Sequence, residues 1–205
     1  MKIRVEEQGQ VGACCYMWCS EKAAVIIDPS MLSPTVNNFI TDNKGKEFYI
    51  LLTHRHFDHV AGVCDVKDAC GGQVVISALD ECGLMSTRDS MGARFGIDHK
   101  TTSADIRVND GDRLTLGDIT LTVMLTPGHT EGSVCYIADD CIFSGDTLFF
   151  GSIGRTDFPT GDMEEMQCSL SRLFALSGDY TVYPGHGEPT TLRFEEKNNP
   201  FYRNF

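Results

Sequence analysis

The sequence predicts an α+β protein built as a four-layer αββα sandwich, in which two β-sheets face each other and helices cover their outer faces. Short β-like runs recur along most of the chain, and only a few amphipathic helical stretches interrupt them. A helix with one apolar face has to bury that face, here against the outside of a sheet. The 205 residues contain no linker or low-complexity tract, so we expect a single domain over residues 1–205.

Nine segments have the composition of β-strands. Ile119–Leu125 alternates in character, as a strand with one buried and one partly wet face does. Residues 48–52 are apolar throughout, which is typical of a strand covered on both sides. The predicted strands are 2–5, 14–19, 23–28, 47–52, 74–77, 119–125, 133–138, 141–144 and 181–183.

Two helices have clear start signals. Ser33 followed by Pro34 provides an N-cap and a first-turn proline. Asp162 and Glu165 form a capping pair ahead of a second apolar stripe at helical spacing. The tail, residues 188–205, predicts one further short helix that ends at its Asn-Asn-Pro sequence.

The charge of the chain argues against nucleic acid as a partner. With 17 basic and 29 acidic residues the formal net charge is −12, and such a surface repels phosphate backbones. Residues 1–7 carry charges where a signal peptide would be apolar, and no apolar run is long enough to span a membrane. We therefore expect a cytoplasmic protein without nucleic-acid or membrane partners, and we leave its oligomeric state open.

Nine cysteines are scattered along the chain without a Cys-x-x-Cys pair. Their densest group, Cys14, Cys15 and Cys19, lacks the second pair of ligands that a zinc knuckle needs. Most of the cysteines lie in apolar strand-like or helix-like segments. We expect reduced thiols that serve as small core residues.

Histidines and aspartates follow four of the predicted strands directly. The strand at 47–52 runs into three histidines and one aspartate within six positions, a spacing that chance rarely assembles. Three later strands are each followed by one more candidate. The seven candidate metal ligands are His54, His56, Asp58, His59, His129, Asp146 and His186. If the relevant strand ends lie together, four loops deliver these side chains to one edge of the sandwich.

Seven nitrogen and oxygen ligands exceed what one ion normally takes from a protein. They suit two ions that share a carboxylate, and we assign Asp146 as the bridge. Residues two apart in an extended loop project similarly, so His54 and His56 can hold one ion while Asp58 and His59 point to the second. Imidazole-rich ligation favours zinc, iron or manganese over magnesium or calcium, and affinity alone does not choose among those three.

The string His54-Arg-His-Phe-Asp-His59 resembles the hallmark motif of the metallo-β-lactamase superfamily. Three later motifs match in the same order: Thr-Pro-Gly-His-Thr at 126–130, Phe-Ser-Gly-Asp-Thr at 143–147 and Tyr-Pro-Gly-His-Gly at 183–187. True β-lactamases of the superfamily commonly carry cysteine where Asp146 stands. The chain is thus most similar to the hydroxyacylglutathione hydrolase, or glyoxalase II, branch.

The resemblance implies how the ligands are shared. One ion would be held by His54, His56, His129 and Asp146, and the other by Asp58, His59, His186 and Asp146. Longer glyoxalase II enzymes have an additional carboxy-terminal helical domain whose basic residues bind glutathione. The printed sequence stops soon after the last motif, so glutathione recognition is left open.

The chemistry that we expect is hydrolysis of a small-molecule thioester such as an S-2-hydroxyacyl thiol. Two divalent transition-metal ions, zinc first and iron or manganese as alternatives, would hold a hydroxide between them as the nucleophile. Asp58 and Asp146 are the expected catalytic residues, since Asp58 would orient that hydroxide and Asp146 would bridge the ions. The thiolate is a good leaving group because thiols are more acidic than alcohols or amines.

A basic residue follows the third motif. Residues 151–157, Gly-Ser-Ile-Gly-Arg-Thr-Asp, resemble the substrate-contacting loop of short bacterial glyoxalase II-like proteins. We predict that Arg155 binds a carboxylate of the substrate or its thiol carrier. The alternative is a structural ion pair of Arg155 with Asp157 or Asp162.

Two other functions are open. Persulfide dioxygenases of the same superfamily share the Gly-Arg-Thr-Asp-Phe string at 154–158, and by that resemblance one iron would be held by His54, His129 and Asp146. A non-catalytic metal-binding module is the third, although such modules normally have a damaged ligand set. The sequences around 148–152 and 184–187 favour the hydrolase.

One polar segment remains. Residues 83–102, rich in Gly, Ser, Thr and charge, predict a flap near the metals. His99 within it is interpreted as a solvated loop residue.

Overall fold

The structure, a computed structural model, describes residues 2–203 and contains two six-stranded β-sheets. The first sheet has its strands in chain order: β1 (Arg4–Gln8), β2 (Ala13–Cys19), β3 (Ala23–Ile27), β4 (Glu47–Leu51), β5 (Gln73–Ser77) and β6 (Ile106–Val108). Strands β3 to β6 run parallel to one another, and β1 and β2 are antiparallel to their neighbours.

The remaining strands are β7 (Arg113–Leu116), β8 (Ile119–Leu125), β9 (Val134–Ala138), β10 (Cys141–Gly145), β11 (Leu148–Phe149), β12 (Ser152–Ile153), β13 (Thr181–Pro184) and β14 (Thr190–Thr191). Six of them form the second sheet in the order β14-β13-β10-β9-β8-β7, while β11 and β12 pair as a small hairpin.

The helices are α1 (Pro34–Asp42), α2 (Phe57–Val60), α3 (Val63–Cys70), α4 (Cys82–Met85), α5 (Met163–Phe174), α6 (Leu192–Asn198) and α7 (Pro200–Arg203), and a 3₁₀ turn covers Gly92–Phe95. The predicted N-caps are confirmed. The Ser33 hydroxyl accepts a hydrogen bond from the Val36 amide, and the Asp162 carboxylate accepts hydrogen bonds from the amides of Glu164 and Glu165. The predicted tail helix is α6, but a second short helix, α7, follows it, and residues 204–205 lie outside the described residues.

Three apolar clusters separate four layers. Inner-face side chains of both sheets, such as Val25, Leu121 and Tyr136, form the central core. Helices α1 and α3 cover the outer face of the first sheet, and α5 and α6 cover that of the second. The prediction of an α+β, four-layer αββα sandwich is therefore confirmed, whereas the extent of the domain over 1–205 stays a prediction.

The cysteine prediction was wrong in part. All nine sulfurs are free thiols, but only Cys14, Cys15, Cys135 and Cys141 are buried. The others lie at strand or helix positions that face outward or half-outward. Four of these five cysteines lie on helices and one lies at the end of β2, and an apolar neighbourhood in sequence does not reveal which face of a helix or strand a cysteine takes.

Strand direction explains why the predicted ligand loops meet. Strands β8 and β10 run in the same direction because both are antiparallel to β9, and β13 is parallel to β10. Their carboxyl ends therefore lie at one edge of the second sheet. The Val134 amide donates to the Thr53 carbonyl at 2.8 Å, which joins this edge to the end of β4.

Among residues 2–203, none of the helices has both the length and the apolar character that crossing a bilayer would require.

Candidate metal centre

The seven predicted ligands come together at this shared edge. His54 and His56 follow β4, while His129, Asp146 and His186 follow β8, β10 and β13. His54 and His56 lie in the loop after β4 as expected, and α2, which the sequence did not predict, begins at Phe57 with His56 at its N-cap position. This helical turn directs Asp58 toward His186, while the His59 ring stays 4.2 Å from that of His54 between ring centroids. It divides the motif between two ligand groups.

The first group contains His54, His56 and His129, whose donor atoms lie within 4.8 Å of one another. The Nδ1 atom of His56 is 2.8 Å from Nε2 of His129. All three side chains are buried, with 1, 4 and 2% exposure. Three imidazoles in this arrangement form a nitrogen-rich site of the kind that zinc and iron occupy.

The second group contains Asp58, His59 and His186. The Oδ2 atom of Asp58 lies 3.3 Å from Nε2 of His186 and 3.6 Å from Nε2 of His59. Asp146 lies between the two groups, since its Oδ2 atom is 3.4 Å from Nε2 of His129 and its Oδ1 atom is 3.4 Å from Nε2 of His59. One carboxylate thus faces both groups.

These residues fit a pair of cations. Within the described chain, the Nε2 atoms of His54, His56 and His59 and the Oδ1 atom of Asp146 are buried without a hydrogen-bond partner. Each such orphaned polar atom costs about 1–3 kcal/mol of stability unless another group satisfies it. A metal ion satisfies several of them at once, and the nitrogen and carboxylate donors are of the type that divalent transition metals prefer.

Polar contacts behind the ligands set which ring nitrogen faces the site. The Nδ1 atom of His59 lies 2.9 Å from Oδ2 of Asp28, a carboxylate that also accepts from the Thr53 amide at 2.8 Å and the Thr53 hydroxyl at 2.6 Å. Because that hydroxyl donates to Asp28, its lone pair is free for the Nδ1–H of His54 at 3.1 Å. Both contacts hold a proton on Nδ1, so Nε2 is the ring nitrogen that faces the site.

His129 is held in the same way by backbone. Its Nδ1 atom lies 2.7 Å from the carbonyl oxygen of Arg155, so Nδ1 carries the proton and Nε2 is a lone pair. Behind both loops lies Asp80, whose Oδ2 atom accepts from the Arg55 amide at 3.0 Å and from the Thr130 hydroxyl at 2.6 Å. This fully buried carboxylate ties the loop of His54 and His56 to the loop of His129.

The electrostatics differ between the two groups. Burial and neighbouring imidazoles lower the pKa of His54 well below its ordinary value and that of His56 to about 2. Burial also disfavours the charged form of His59, but surrounding carboxylates outweigh it and raise its pKa to about 10. Burial would raise the pKa of Asp58, yet the charges of His59 and His186 lower it. The second group is thus a negative environment that favours a bound cation.

Glycine is required where backbone passes close to Asp146. A Cβ atom on Gly185 would lie 2.1 Å from Oδ1 of Asp146 and 2.9 Å from Cε1 of His59. A Cβ atom on Gly154 would lie 1.9 Å from the carbonyl oxygen of Asp146. The glycines of the predicted motifs therefore allow the ligand loops to pack directly against one another.

Arg155 lies beside the site, but its side chain is already paired. Its Nε and Nη2 atoms each lie 2.7 Å from a carboxylate oxygen of Asp157, and its guanidinium is 3.9 Å from the Phe158 ring centre. This ion pair with Asp157 is the structural role considered for Arg155 in the sequence as the alternative to substrate binding. Binding of a substrate carboxylate by Arg155 stays a prediction.

Sequence reasoning missed the orienting residues Asp28, Thr53 and Asp80. A signal existed for Asp28, which follows β3 as Asp146 follows β10, but the predicted strand 23–28 included it. Its φ of +51° ends the strand in a left-handed turn. The predicted flap does lie near the site: Met91 and Phe95 line the cavity in front of it, and the Ser90 carbonyl accepts from the Phe57 amide at 2.8 Å. His99 is half-buried against Ser90.

With this fold and this site, the chain belongs to the metallo-β-lactamase superfamily, whose family model matches residues 9–186. The probable metallo-hydrolase YqgX of Bacillus subtilis is 32% identical, covering 100% of this chain and 99% of the relative. The hydroxyacylglutathione hydrolase GloC of Haemophilus influenzae is 33% identical, covering 92% and 91%. The predicted family is therefore confirmed, and its members include metal-dependent hydrolases.

Solved structures agree with the fold. The B3 metallo-β-lactamase BLEG-1 superposes with a TM-score of 0.88 at 32% identity, covering 98% of this chain and 100% of that one. TTHA1623, solved in a di-iron-bound form, superposes with a TM-score of 0.83 at 32% identity, covering 97% and 99%. Similar chains therefore carry names of different hydrolases, and one of them holds two irons.

Proposed function

We propose that the protein is a two-metal hydrolase that cleaves thioesters of the S-2-hydroxyacyl type. The observation that carries this proposal is the pair of ligand groups with Asp146 between them. One ion would be held by His54, His56, His129 and Asp146, and the other by Asp58, His59, His186 and Asp146. Zinc is the expected metal, and iron and manganese are the alternatives.

When bound, such ions lower the pKa of a coordinated water and polarise a carbonyl oxygen. The chain's own residues prepare the site for this chemistry. Asp28 and the Arg155 carbonyl hold a proton on Nδ1 of His59 and His129, so that Nε2 is the ring nitrogen that would bind an ion. Asp58, partly open to the cavity, is positioned to accept a hydrogen bond from the attacking water.

Similarity to GloC supports a thioester as the substrate, because that relative is named as a hydroxyacylglutathione hydrolase. A thioester also suits a site that offers no separate acid for the leaving group. A thiolate leaves without prior protonation, whereas an amine does not. The reaction consumes one water, whose oxygen joins the acyl carbon as the C–S bond breaks and whose proton balances the released thiolate.

The mononuclear persulfide dioxygenase is the rival function. It would use His54, His129 and Asp146 and would leave the second group without a role. The donor atoms of Asp58, His59 and His186 lie within 4.8 Å of one another, and the Asp58 and Asp146 carboxylates beside these rings supply negative charge that favours a cation in that second position. This electrostatic difference is the reason to place the hydrolase first.

The test combines metal analysis with two assays on one sample. Protein loaded with zinc or with ferrous iron is analysed for metal and then given S-lactoylglutathione, S-lactoyl-N-acetylcysteamine or a persulfide, with a β-lactam as a further substrate. Two ions per chain with thioester turnover would support the proposal. One iron with oxygen uptake and no thioester turnover would select the dioxygenase, and two ions with turnover of a β-lactam alone would assign a lactamase.

Asp58→Ala separates the candidates further. We expect this variant to lose the second ion and thioester hydrolysis while keeping the first ion. Asp65→Ala is the matched control. Asp65 lies on α3 and its exposed carboxylate pairs with Lys100, so this variant should change neither the metal content nor thioester hydrolysis. Full thioester turnover by Asp58→Ala would contradict the two-metal assignment.

A further inference from the structure

The site opens into a cleft made of two adjoining cavities. Their volumes are about 400 and 390 Å³. The first extends over His129, Asp146 and His186, and the second extends toward the turn that precedes β2. Four residues line both cavities, namely Val11, Phe57, Asp58 and Phe95. Asp58, a proposed ligand, therefore lies where the two cavities meet.

Apolar side chains dominate the walls. Met91, Phe149 and Phe158 line the first cavity, and Met31 and Ile97 line the second. The Phe57 and Phe95 rings pack 5.1 Å apart between them. Val11 and Phe95 are 52 and 51% exposed. Large apolar side chains exposed together beside a reactive centre indicate a surface that a ligand covers.

Apart from the metal ions proposed above and their histidine ligands, the described walls of the cleft offer no free cation. Among the residues described here, Arg155 is the one basic side chain that lines either cavity, and Asp157 already binds both of its donor edges. The second cavity carries the carboxylates of Asp58 and Asp98 instead. The whole chain has a formal net charge of −12. A carboxylate or phosphate on an arm that lies away from the proposed ions, above all in the second cavity, would lose hydration and gain no cationic partner.

We infer that the substrate is a thioester of an uncharged thiol, with an apolar arm in each cavity; this inference rests on the thioester hydrolysis proposed above. A thioester has two arms, the acyl group and the thiol, on either side of the reacting carbonyl. Two cavities that meet at Asp58 match that shape. The absence of a free cation along the described walls excludes tight binding of carriers that bear carboxylates or phosphates.

A matched pair of substrates tests the charge requirement. S-lactoylglutathione and S-lactoyl-N-acetylcysteamine have the same acyl group, and only the first has a charged thiol. On the zinc-loaded protein we expect kcat/KM to be about tenfold or more higher for the neutral thioester, since one unpaired charge is worth roughly that factor at a partly buried site. Equal or faster turnover of the glutathione thioester would overturn the inference.

Val11 allows a charge to be introduced without touching the proposed ligands. Val11→Lys places a cation in the wall that the two cavities share, and Val11→Gln is the uncharged control. Because Val11 is exposed in a turn, both variants should fold and keep their metal content. We expect Val11→Lys to raise the rate ratio of glutathione to neutral thioester about fivefold or more, and Val11→Gln to change it less than about twofold. An unchanged ratio in Val11→Lys would count against the cleft as the binding site.

Binding of non-hydrolysable thioethers separates this inference from the proposed function. S-hexyl-N-acetylcysteamine and S-hexylglutathione are titrated calorimetrically into zinc-loaded protein. If neither lactoyl thioester is hydrolysed, the proposed function fails and the thioethers alone decide the inference. Tighter binding of the neutral thioether would support it. Tighter binding of S-hexylglutathione, or no binding of either compound, would overturn it.

Discussion

The Oδ2 atom of Asp28 lies 2.9 Å from Nδ1 of His59, and both side chains are buried. This contact fixes the orientation and the proton of a proposed ligand from the side opposite the site. Asp28 receives two further hydrogen bonds from Thr53, the residue before His54. One carboxylate that contacts no substrate cavity therefore organises the start of the first motif and part of the second ligand group.

Asp28→Asn should weaken binding of the second ion. An asparagine nitrogen at the Oδ2 position would donate to Nδ1 of His59, which moves the ring proton to Nε2, where the ion is expected. Removal of such an orienting partner typically lowers metal affinity about 10–100-fold. Elemental analysis after dialysis should show one ion per chain. Asp42→Asn is the control, because it changes an exposed carboxylate near Arg4, and it should keep both ions. If Asp28→Asn also kept two ions, the role given to Asp28 would be contradicted.

Gly185→Ala should displace Asp146 and abolish most activity. The added methyl group would lie 2.1 Å from Oδ1 of Asp146, far inside contact distance. We expect a loss of about 100-fold or more in kcat/KM, as for other displacements near 1 Å at reacting centres. Gly151→Ala is the matched control, because its Cβ would meet no atom within 4 Å and its φ of +62° costs only about 1 kcal/mol of stability. Activity equal to that of the control would show that Asp146 can shift without consequence.

Arg155→Gln should have a small effect on thioester turnover. The side chain of Arg155 is engaged by Asp157, and only its backbone carbonyl contacts His129. We expect KM for S-lactoylglutathione to change less than about threefold and the metal content to stay the same, because exposed ion pairs contribute little. A KM increase of tenfold or more would restore the prediction from sequence that this guanidinium binds the substrate.

Binding of the second ion should depend on pH and release protons. The pKa of His59 is raised to about 10, so this ring is protonated at neutral pH in the metal-free protein, and the pKa of His186 is shifted in the same direction. An ion must displace these protons, and its affinity should therefore increase as the pH rises toward that value. His54 and His56 have lowered pKa values and are neutral already, so the first ion should bind with little pH dependence.

Calorimetric zinc titrations in buffers of different ionisation enthalpy measure the protons released at each step. We expect release only with the second ion, and more of it at about pH 6.5 than at about pH 9. Equal release in both steps would show that the two ligand groups do not differ in charge as described.

The positions of the proposed ligands could be predicted from sequence because each of the four motifs that carry them follows a strand. His129, Asp146 and His186 come after strands whose patterns were unambiguous, and strands of the same direction bring their ends to one edge. Asp28 was missed because it was assigned to the predicted strand 23–28, whereas the strand ends one residue earlier and Asp28 stands in a left-handed turn before Pro29. The pairing of Arg155 with Asp157 depends on the shape of one loop, which a motif does not specify.

Short elements were the least predictable part of the fold. Helix α2 has four residues, fewer than periodicity can detect, yet it divides the first motif between the two ligand groups. The β7–β8 hairpin did carry a signal, since Gly117 and Asp118 form a two-residue turn with positive φ at Gly117. Strand β6 has three residues and is identified only by its pairing with β5.

The most direct test of the two-metal centre is anomalous X-ray diffraction from crystals of the zinc-loaded protein. We expect two peaks per chain on either side of the Asp146 carboxylate. One should lie among His54, His56 and His129 and the other among Asp58, His59 and His186. A single peak, or peaks away from Asp146, would contradict the paired-cation site on which the proposed chemistry depends.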